Sequence, residues 1–155
     1  MAGNFLSKIN WHGRFFRYVP LFLVVTIILF TSTTQASMNK TSRFIGPLLE
    51  FLFPSSPEST LVIYHAYIRK SAHLVEYAVL GFFASRAFSY SSKIFFSKHW
   101  YWIAFLFVLL VASIDEVNQS FNPTRTGSIF DVLLDCLGGA VMISLLMIYK
   151  TMRND

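Results

Sequence analysis

The sequence predicts an all-α integral membrane protein: a four-transmembrane-helix bundle with a short interfacial or re-entrant segment between helices 1 and 2. Of its 155 residues, 54% are hydrophobic and only 14% are charged, whereas an ordinary soluble domain has about 25% charged residues. The apolar residues form four segments, each close to the roughly 20 residues that a helix needs to cross about 30 Å of hydrocarbon. Basic and aromatic residues flank these segments, as is typical at membrane interfaces.

The first predicted span covers residues 18–37 and has an unbroken apolar centre from Leu21 to Phe30. Small residues near its end resemble a cleavage site, so a cleaved secretory signal is the alternative interpretation of Met1 to Ala36. The leader before Tyr18 is long for the basic region of such a signal. This length favours a retained span.

A short apolar segment, residues 44–53, follows the first span. It cannot cross the bilayer, and we expect it to lie at the interface or to re-enter from one side. Residues 58–60 are then predicted to cap a helix that continues without a break into the second span, residues 70–88.

The third and fourth predicted spans cover residues 97–114 and 128–149. An aromatic belt beginning at Trp100 opens the third span, and Lys150 with Arg153 closes the fourth. Each span therefore has a recognisable interfacial end.

One domain is expected over residues 18–149, since no Pro-rich or Gly/Ser-rich linker divides the chain. Residues 1–17 and 150–155 are predicted cytoplasmic tails, because this orientation places the majority of the 13 Lys and Arg residues inside. It also explains the net charge of +5 without nucleic acid, since the basic residues form no stripe interleaved with aromatics.

Two polar runs interrupt the apolar sequence, and ionisable side chains inside a membrane are costly and commonly functional. The first run lies on one face of the second span and comprises Lys70, His73, Glu76 and Tyr77. The second run joins the third and fourth spans and comprises Asp115, Glu116, Gln119, Arg125, Asp131 and Asp135. In the predicted topology both runs meet at the extracytoplasmic end of the bundle.

Asp135 is among the deepest of these groups. At 1.5 Å per residue it lies roughly 10 Å below a span that begins at Ser128. Gly138 and Gly139 continue the same stripe, so another helix can approach closely beneath the carboxylates. Acidic groups outnumber basic ones in this pocket, so either one acid is protonated or a cation binds. The sequence allows a divalent cation without requiring one, and its candidate ligands are His73, Glu76, Asp131 and Asp135.

Each polar side chain also has a structural explanation. Lys70 and Arg125 can extend to lipid headgroups from the interface, and His73 can donate an interhelical hydrogen bond. Glu116 can solvate the outer end of the third span, and a salt bridge can account for Asp135. The combination is more informative than any single member.

The spacing of these residues resembles the VanZ-like family of small bacterial membrane proteins, over about residues 20 to 148. The pattern is Lys70-x-x-His73-x-x-x-Tyr77-x-x-Leu80-Gly81, followed by Asp115-Glu116-x-x-Gln119-x-x-x-Pro123-x-Arg125-x-x-Ser128-x-x-Asp131-x-x-x-Asp135-x-x-Gly138. Two features depart from the family pattern. Asp135 stands where the family more often has Asn, and Asn122 to Thr124 replaces a common Val-Pro-Gly.

The resemblance implies a multi-pass protein of a bacterial inner or plasma membrane. The family is named for a member linked to low-level resistance to teicoplanin, a lipid-tailed glycopeptide, and the resemblance implies no particular reaction. We expect the partner to be a membrane lipid or a lipid-linked small molecule, handled in the envelope or in antibiotic resistance. The candidate residues for headgroup binding are Lys70, Tyr77, Asp115, Glu116, Gln119 and Arg125.

The alternative is a membrane-embedded hydrolase or transferase acting on a phosphorylated or acylated lipid. Its candidate catalytic residues are His73, Glu76, Asp131 and Asp135. The sequence has no HExxH or GxSxG motif, so the catalytic signal is weak. A proton pathway is disfavoured, because the cytoplasmic halves of the third and fourth spans carry almost no polar groups.

Overall fold

The computed structural model describes residues 13–32, 38–121 and 128–154, and these residues form helices without any strand. The six helices are α1 (Arg14–Thr31), α2 (Met38–Leu52), α3 (Glu58–Ser89), α4 (Ile94–Lys98), α5 (Trp100–Ser120) and α6 (Ile129–Asn154). The predicted all-α fold is thus confirmed for the described part of the chain. Helix α3 is central, since it packs most extensively on α6 and also contacts α1, α2, α4 and α5.

Two of the described helices, α5 and α6, are long and apolar enough to cross a membrane. Their outward faces carry apolar side chains such as Leu106, Leu110 and Leu137, each more than half exposed. Their inward faces carry buried Asp115 and Asp135. A helix with its apolar side outward and its acids inward matches a lipid environment, where ionisable groups turn towards the bundle interior. This arrangement supports a membrane protein.

Helix α3 runs unbroken for 32 residues, about 48 Å at 1.5 Å per residue. The predicted continuous helix, from residue 58 through residues 70–88, is therefore confirmed. The predicted cap is not, because Pro57 holds the N-cap position and the cap makes no side-chain hydrogen bond. Glu58 instead occupies the first turn, where a carboxylate favours the positive end of the helix dipole.

Helix α1 packs on α3, and its Arg17 donates a hydrogen bond to the carbonyl oxygen of Tyr90 just beyond the end of α3. Its apolar part, Phe15–Thr31, is slightly short of the usual length for a span. The remainder of the predicted first span, residues 33–37, lies outside the described residues. Residues 44–52 of the predicted short segment 44–53 belong to α2, a 15-residue helix that packs on α3.

The backbones of α3 and α6 touch beneath the polar residues. A Cβ atom added at Gly138 would overlap with the carbonyl oxygen of Leu74 in α3. One added at Gly139 would lie 2.6 Å from Cγ1 of Val108 in α5. The close approach predicted for these glycines is therefore present, and it joins all three helices that carry the polar runs.

Candidate functional site

The two polar runs meet at one end of the bundle. Helix α3 enters at this end, α5 ends there and α6 begins there. The three helices enclose a cavity of about 120 Å³. Its lining consists of Ala66, Arg69, Lys70, His73, Glu116, Gln119, Asp131, Leu134 and Asp135. Since sites for drug-sized ligands usually measure about 300–1,000 Å³, this cavity can admit only a small group, such as a phosphate, an ammonium or a hydrated ion.

Two ion pairs connect α3 with α6 across the cavity. The Nζ atom of Lys70 lies 3.4 Å from Oδ1 of Asp131, near the mouth, where the Lys70 side chain is 58% exposed. The Nδ1 atom of His73 lies 3.6 Å from Oδ1 of Asp135, whose side chain is fully buried. An exposed pair contributes about 0–1 kcal/mol, so the outer pair is free to exchange its partner for a ligand at little cost.

His73, Asp115 and Asp135 form the deepest part of the site, and one ligand atom from each lies within 4.8 Å of the others. Asp115 accepts a hydrogen bond from Gln119 Nε2 at 3.1 Å through one oxygen. Its other oxygen and both oxygens of Asp135 have no hydrogen-bond partner among the described residues. Two buried carboxyl groups therefore share one imidazole, an arrangement that either a proton on one acid or a bound cation would compensate.

Tyr77 lies fully buried one helical turn beyond His73. Its hydroxyl interacts with the buried carboxyl groups of Asp115 and Asp135. A ligand that entered the cavity could not reach Tyr77 without displacing other side chains. The position is better suited to shaping the floor of the site than to direct contact.

Glu116 has a structural role that the sequence did not reveal. Its Oε2 atom accepts a hydrogen bond of 2.7 Å from the backbone N–H of Ser128, immediately before α6. The side chain thus caps the start of α6 from the neighbouring helix, in the way that an N-cap carboxylate satisfies a free N–H group. Glu116 also lines the cavity, and its second oxygen has no hydrogen-bond partner in the described part of the chain.

A sequence model of one family, described as VanZ/LLP1, matches residues 15–150. The chain belongs to the VanZ/LLP1 family. No curated protein and no solved structure gives a significant match to the chain. The family assignment confirms the resemblance drawn from the spacing of the polar runs, and the matched range includes every described residue of the cavity.

Within this VanZ/LLP1 chain, most of the sequence-predicted site residues converge. Those that line the cavity are Lys70, His73, Glu116, Gln119, Asp131 and Asp135. Asp115 and Tyr77 are buried beside it. Glu76 is directed towards α1, where Thr31 Oγ1 donates a hydrogen bond to its Oε1 at 3.3 Å. Arg125 lies outside the described residues.

The set of possible metal ligands differs from the predicted one. His73 and Asp135 are in the deep cluster, but the third member is Asp115. Asp131 instead pairs with Lys70 nearer the mouth, while Glu76 contacts α1. Imidazole nitrogens and carboxylate oxygens are ligands that divalent cations such as Zn²⁺ and Mn²⁺ accept, so these three side chains fit a divalent cation.

Arg69, which the sequence placed among the basic groups of this pocket but not among its candidate binding residues, also lines the cavity. It stands four residues before His73, and residues with this spacing share a helix face. That spacing was the signal that could have identified it. With Lys70, Arg69 places two cations above the buried acids.

Proposed function

We propose that the chain crosses a bacterial inner or plasma membrane four times, through α1, α3, α5 and α6, with both termini in the cytoplasm. Helix α2 then lies at the outer interface or re-enters the bilayer from that side. Supporting this topology, the end of the bundle opposite the cavity is basic, with Arg86, Lys150 and Arg153 in one pocket. Since basic residues accumulate on the cytoplasmic side, the acid-lined cavity faces outward.

The cavity in this proposal binds the headgroup of a membrane lipid or of a lipid-linked amphiphile. The observation that carries the proposal is the layered charge of one small cavity, with Arg69 and Lys70 near the mouth and buried Asp115 and Asp135 below. A phosphate or carboxylate fits the basic layer, and a cationic group or metal ion fits the acidic layer. The acyl chains stay outside, because the cavity is too small for them.

Handling of envelope lipids or of lipid-tailed glycopeptides of the teicoplanin type is consistent with this chemistry. Such molecules join a polar head to an apolar tail, and the outer faces of α5 and α6 offer apolar side chains to the tail. The proposed role in handling envelope lipids or lipid-tailed glycopeptides therefore follows from the class of ligand. Family membership supports this role only in general terms.

A second candidate is a hydrolase or transferase acting on a phosphorylated or acylated lipid. The convergence of His73, Asp115 and Asp135 favours it, since this set fits a cation that can polarise a phosphoryl or acyl oxygen. In that function His73 is positioned as a general base or a ligand. This candidate predicts that purified protein contains stoichiometric metal, that His73→Ala loses this metal, and that the protein turns over lipid. Absence of both the metal and the turnover would favour simple headgroup binding.

We expect Lys70→Gln to weaken retention of a phospholipid at the cavity about ten-fold, because the substitution removes one of the two described cations near the mouth. Arg125→Gln is expected on sequence grounds to abolish that retention. Native mass spectrometry of protein purified with phosphatidylethanolamine or phosphatidylglycerol measures the bound fraction.

Lys98→Gln is the matched control, since Lys98 is exposed and lies on α4, beyond the opposite end of α3 from the cavity. It removes the same charge and is expected to leave the bound fraction unchanged. Equal retention by wild type, Lys70→Gln and Arg125→Gln would rule out headgroup binding at the cavity.

A further inference from the structure

The end of the bundle opposite the cavity contains a second pocket, of about 190 Å³. Its lining comes from α3, α5 and α6 and consists of Phe82, Ser85, Arg86, Ser89, Trp100, Leu146, Tyr149, Lys150 and Arg153, together with Tyr90 just after α3. Lys70 and Arg86 are 16 residues apart on one continuous helix, about 24 Å along its axis. The two pockets therefore belong to opposite faces of a membrane about 30 Å thick.

This second pocket has the chemistry of an anion site. Lys150, Arg86 and Arg153 line it without any acidic residue in its described lining. The ammonium of Lys150 lies 5.1 Å from the ring centroid of Trp100 and 5.7 Å from that of Tyr90. These cation–π contacts hold Lys150 in place while its N–H donors remain available to an anion.

A buried hydroxyl provides an independent sign of a missing ligand. Ser85 lines the pocket, is only 2% exposed, and its Oγ atom has no hydrogen-bond partner among the described residues. A buried polar group without a partner is destabilising, because it has lost its hydrogen bonds to water. A phosphate oxygen in the pocket would accept the Ser85 hydroxyl proton in a hydrogen bond.

We propose that this pocket binds the phosphate of an anionic phospholipid from the leaflet opposite the cavity. Phe82 and Tyr149 at its edge are exposed and can contact the acyl chains. A net negative headgroup is favoured over phosphatidylcholine, because the choline cation would approach Lys150 and Arg153. Basic pockets between transmembrane helices recognise anionic headgroups in this way. The proposal does not depend on the function of the acid-lined cavity.

The test uses the full chain in nanodiscs of phosphatidylcholine with added phosphatidylglycerol. We expect the double variant Lys150→Gln/Arg153→Gln to weaken phosphatidylglycerol binding at least ten-fold. The matched control is Lys93→Gln/Lys98→Gln, which removes two exposed charges beside α4 and is expected to change binding less than two-fold. Circular dichroism and thermal unfolding confirm that both variants are folded.

Equal weakening in both double variants would show a bulk charge effect and overturn the proposal. Unchanged binding in Lys150→Gln/Arg153→Gln would do the same. Inorganic phosphate, titrated into protein in pure phosphatidylcholine, distinguishes a free anion from a lipid: binding of phosphate as tight as that of phosphatidylglycerol would overturn the lipid assignment. Lipid binding at the cavity is measured separately, because Lys70→Gln is expected to weaken it and Lys150→Gln/Arg153→Gln is expected to leave it unchanged.

Discussion

Gly138→Ala is expected to destabilise the protein by about 1–3 kcal/mol, the usual cost of overpacking a well-packed core. Alanine is intrinsically a better helix former than glycine by about 1 kcal/mol. If only helix propensity changed, the substitution would therefore stabilise the protein. The loss arises because the added methyl group would overlap with the backbone oxygen of Leu74. Backbone in the middle of a helix cannot move aside as a side chain can, so α3 and α6 must separate.

The same substitution is expected to weaken headgroup binding at the cavity. Leu74 directly follows His73 on α3, and Gly138 lies three residues after Asp135 on α6. Separation of the two helices therefore increases the distance between His73 and Asp135, now 3.6 Å between their nearest charged atoms. Thermal unfolding in detergent and lipid retention by native mass spectrometry measure the two effects on the same samples.

Two comparisons separate the close contact from a general effect of alanine. Gly46→Ala, on α2, meets nothing within 4 Å and is expected to be neutral or slightly stabilising. Gly139→Ala meets the side chain of Val108 at 2.6 Å, so Val108→Ala is expected to rescue part of its stability but none of that lost in Gly138→Ala. A Gly138→Ala protein as stable as Gly46→Ala would contradict the close approach.

The all-α fold and the meeting of the polar runs could be predicted, because both depend on periodicities in the sequence. Apolar stretches of membrane length give α5 and α6, and helical spacing puts Lys70 and His73 on one face. The glycine stripe at Gly138 predicted the close approach, since only small residues let helix backbones touch. These signals are local, and each can be seen within one helix.

The partners across helices could not be predicted from spacing. Whether Asp115, Glu76 or Asp131 approaches His73 depends on the rotation of α5 and α6 about their axes, which packing at the core determines. Glu116 illustrates the same limit, because its hydrogen bond to the N–H of Ser128 joins two helices at their ends. A sequence pattern gives the helix face on which a residue lies, but it does not give the residue on the neighbouring helix that contacts it.

Asp135→Asn is expected to raise the thermal stability of protein prepared without divalent cations. Asp135 is fully buried, and its two oxygens have no hydrogen-bond partner among the described residues. A carboxylate deep in a membrane segment costs about 2.5–3.5 kcal/mol by insertion scales. Asparagine keeps the shape of the side chain and removes the charge, so repulsion from buried Asp115 disappears.

The opposing effect is loss of the attraction between Asp135 and His73. Breaking a well-formed buried ion pair costs about 3–5 kcal/mol. The two nearest atoms here are 3.6 Å apart, too far for a strong hydrogen bond, and His73 is shared between Asp135 and Asp115. We therefore expect the stability gained by removing the buried negative charge of Asp135 to exceed the stability lost with the His73–Asp135 interaction. Asp131→Asn, at the partly exposed pair with Lys70, is the control and should change stability by less than about 1 kcal/mol.

Addition of a divalent cation is expected to make wild type more stable than Asp135→Asn, the reverse of the order expected without cations. A cation that binds only the folded state stabilises it by an amount that grows with the logarithm of its concentration. Wild type, with His73, Asp115 and Asp135 able to coordinate the ion, should gain stability with added Zn²⁺ or Mn²⁺ and lose it again with chelator. Asp135→Asn should respond much less, because asparagine is a poorer ligand than a carboxylate. If wild type and Asp135→Asn respond equally to every divalent cation, the deep cluster holds no metal, and protonation of one acid accounts for the charge at the site.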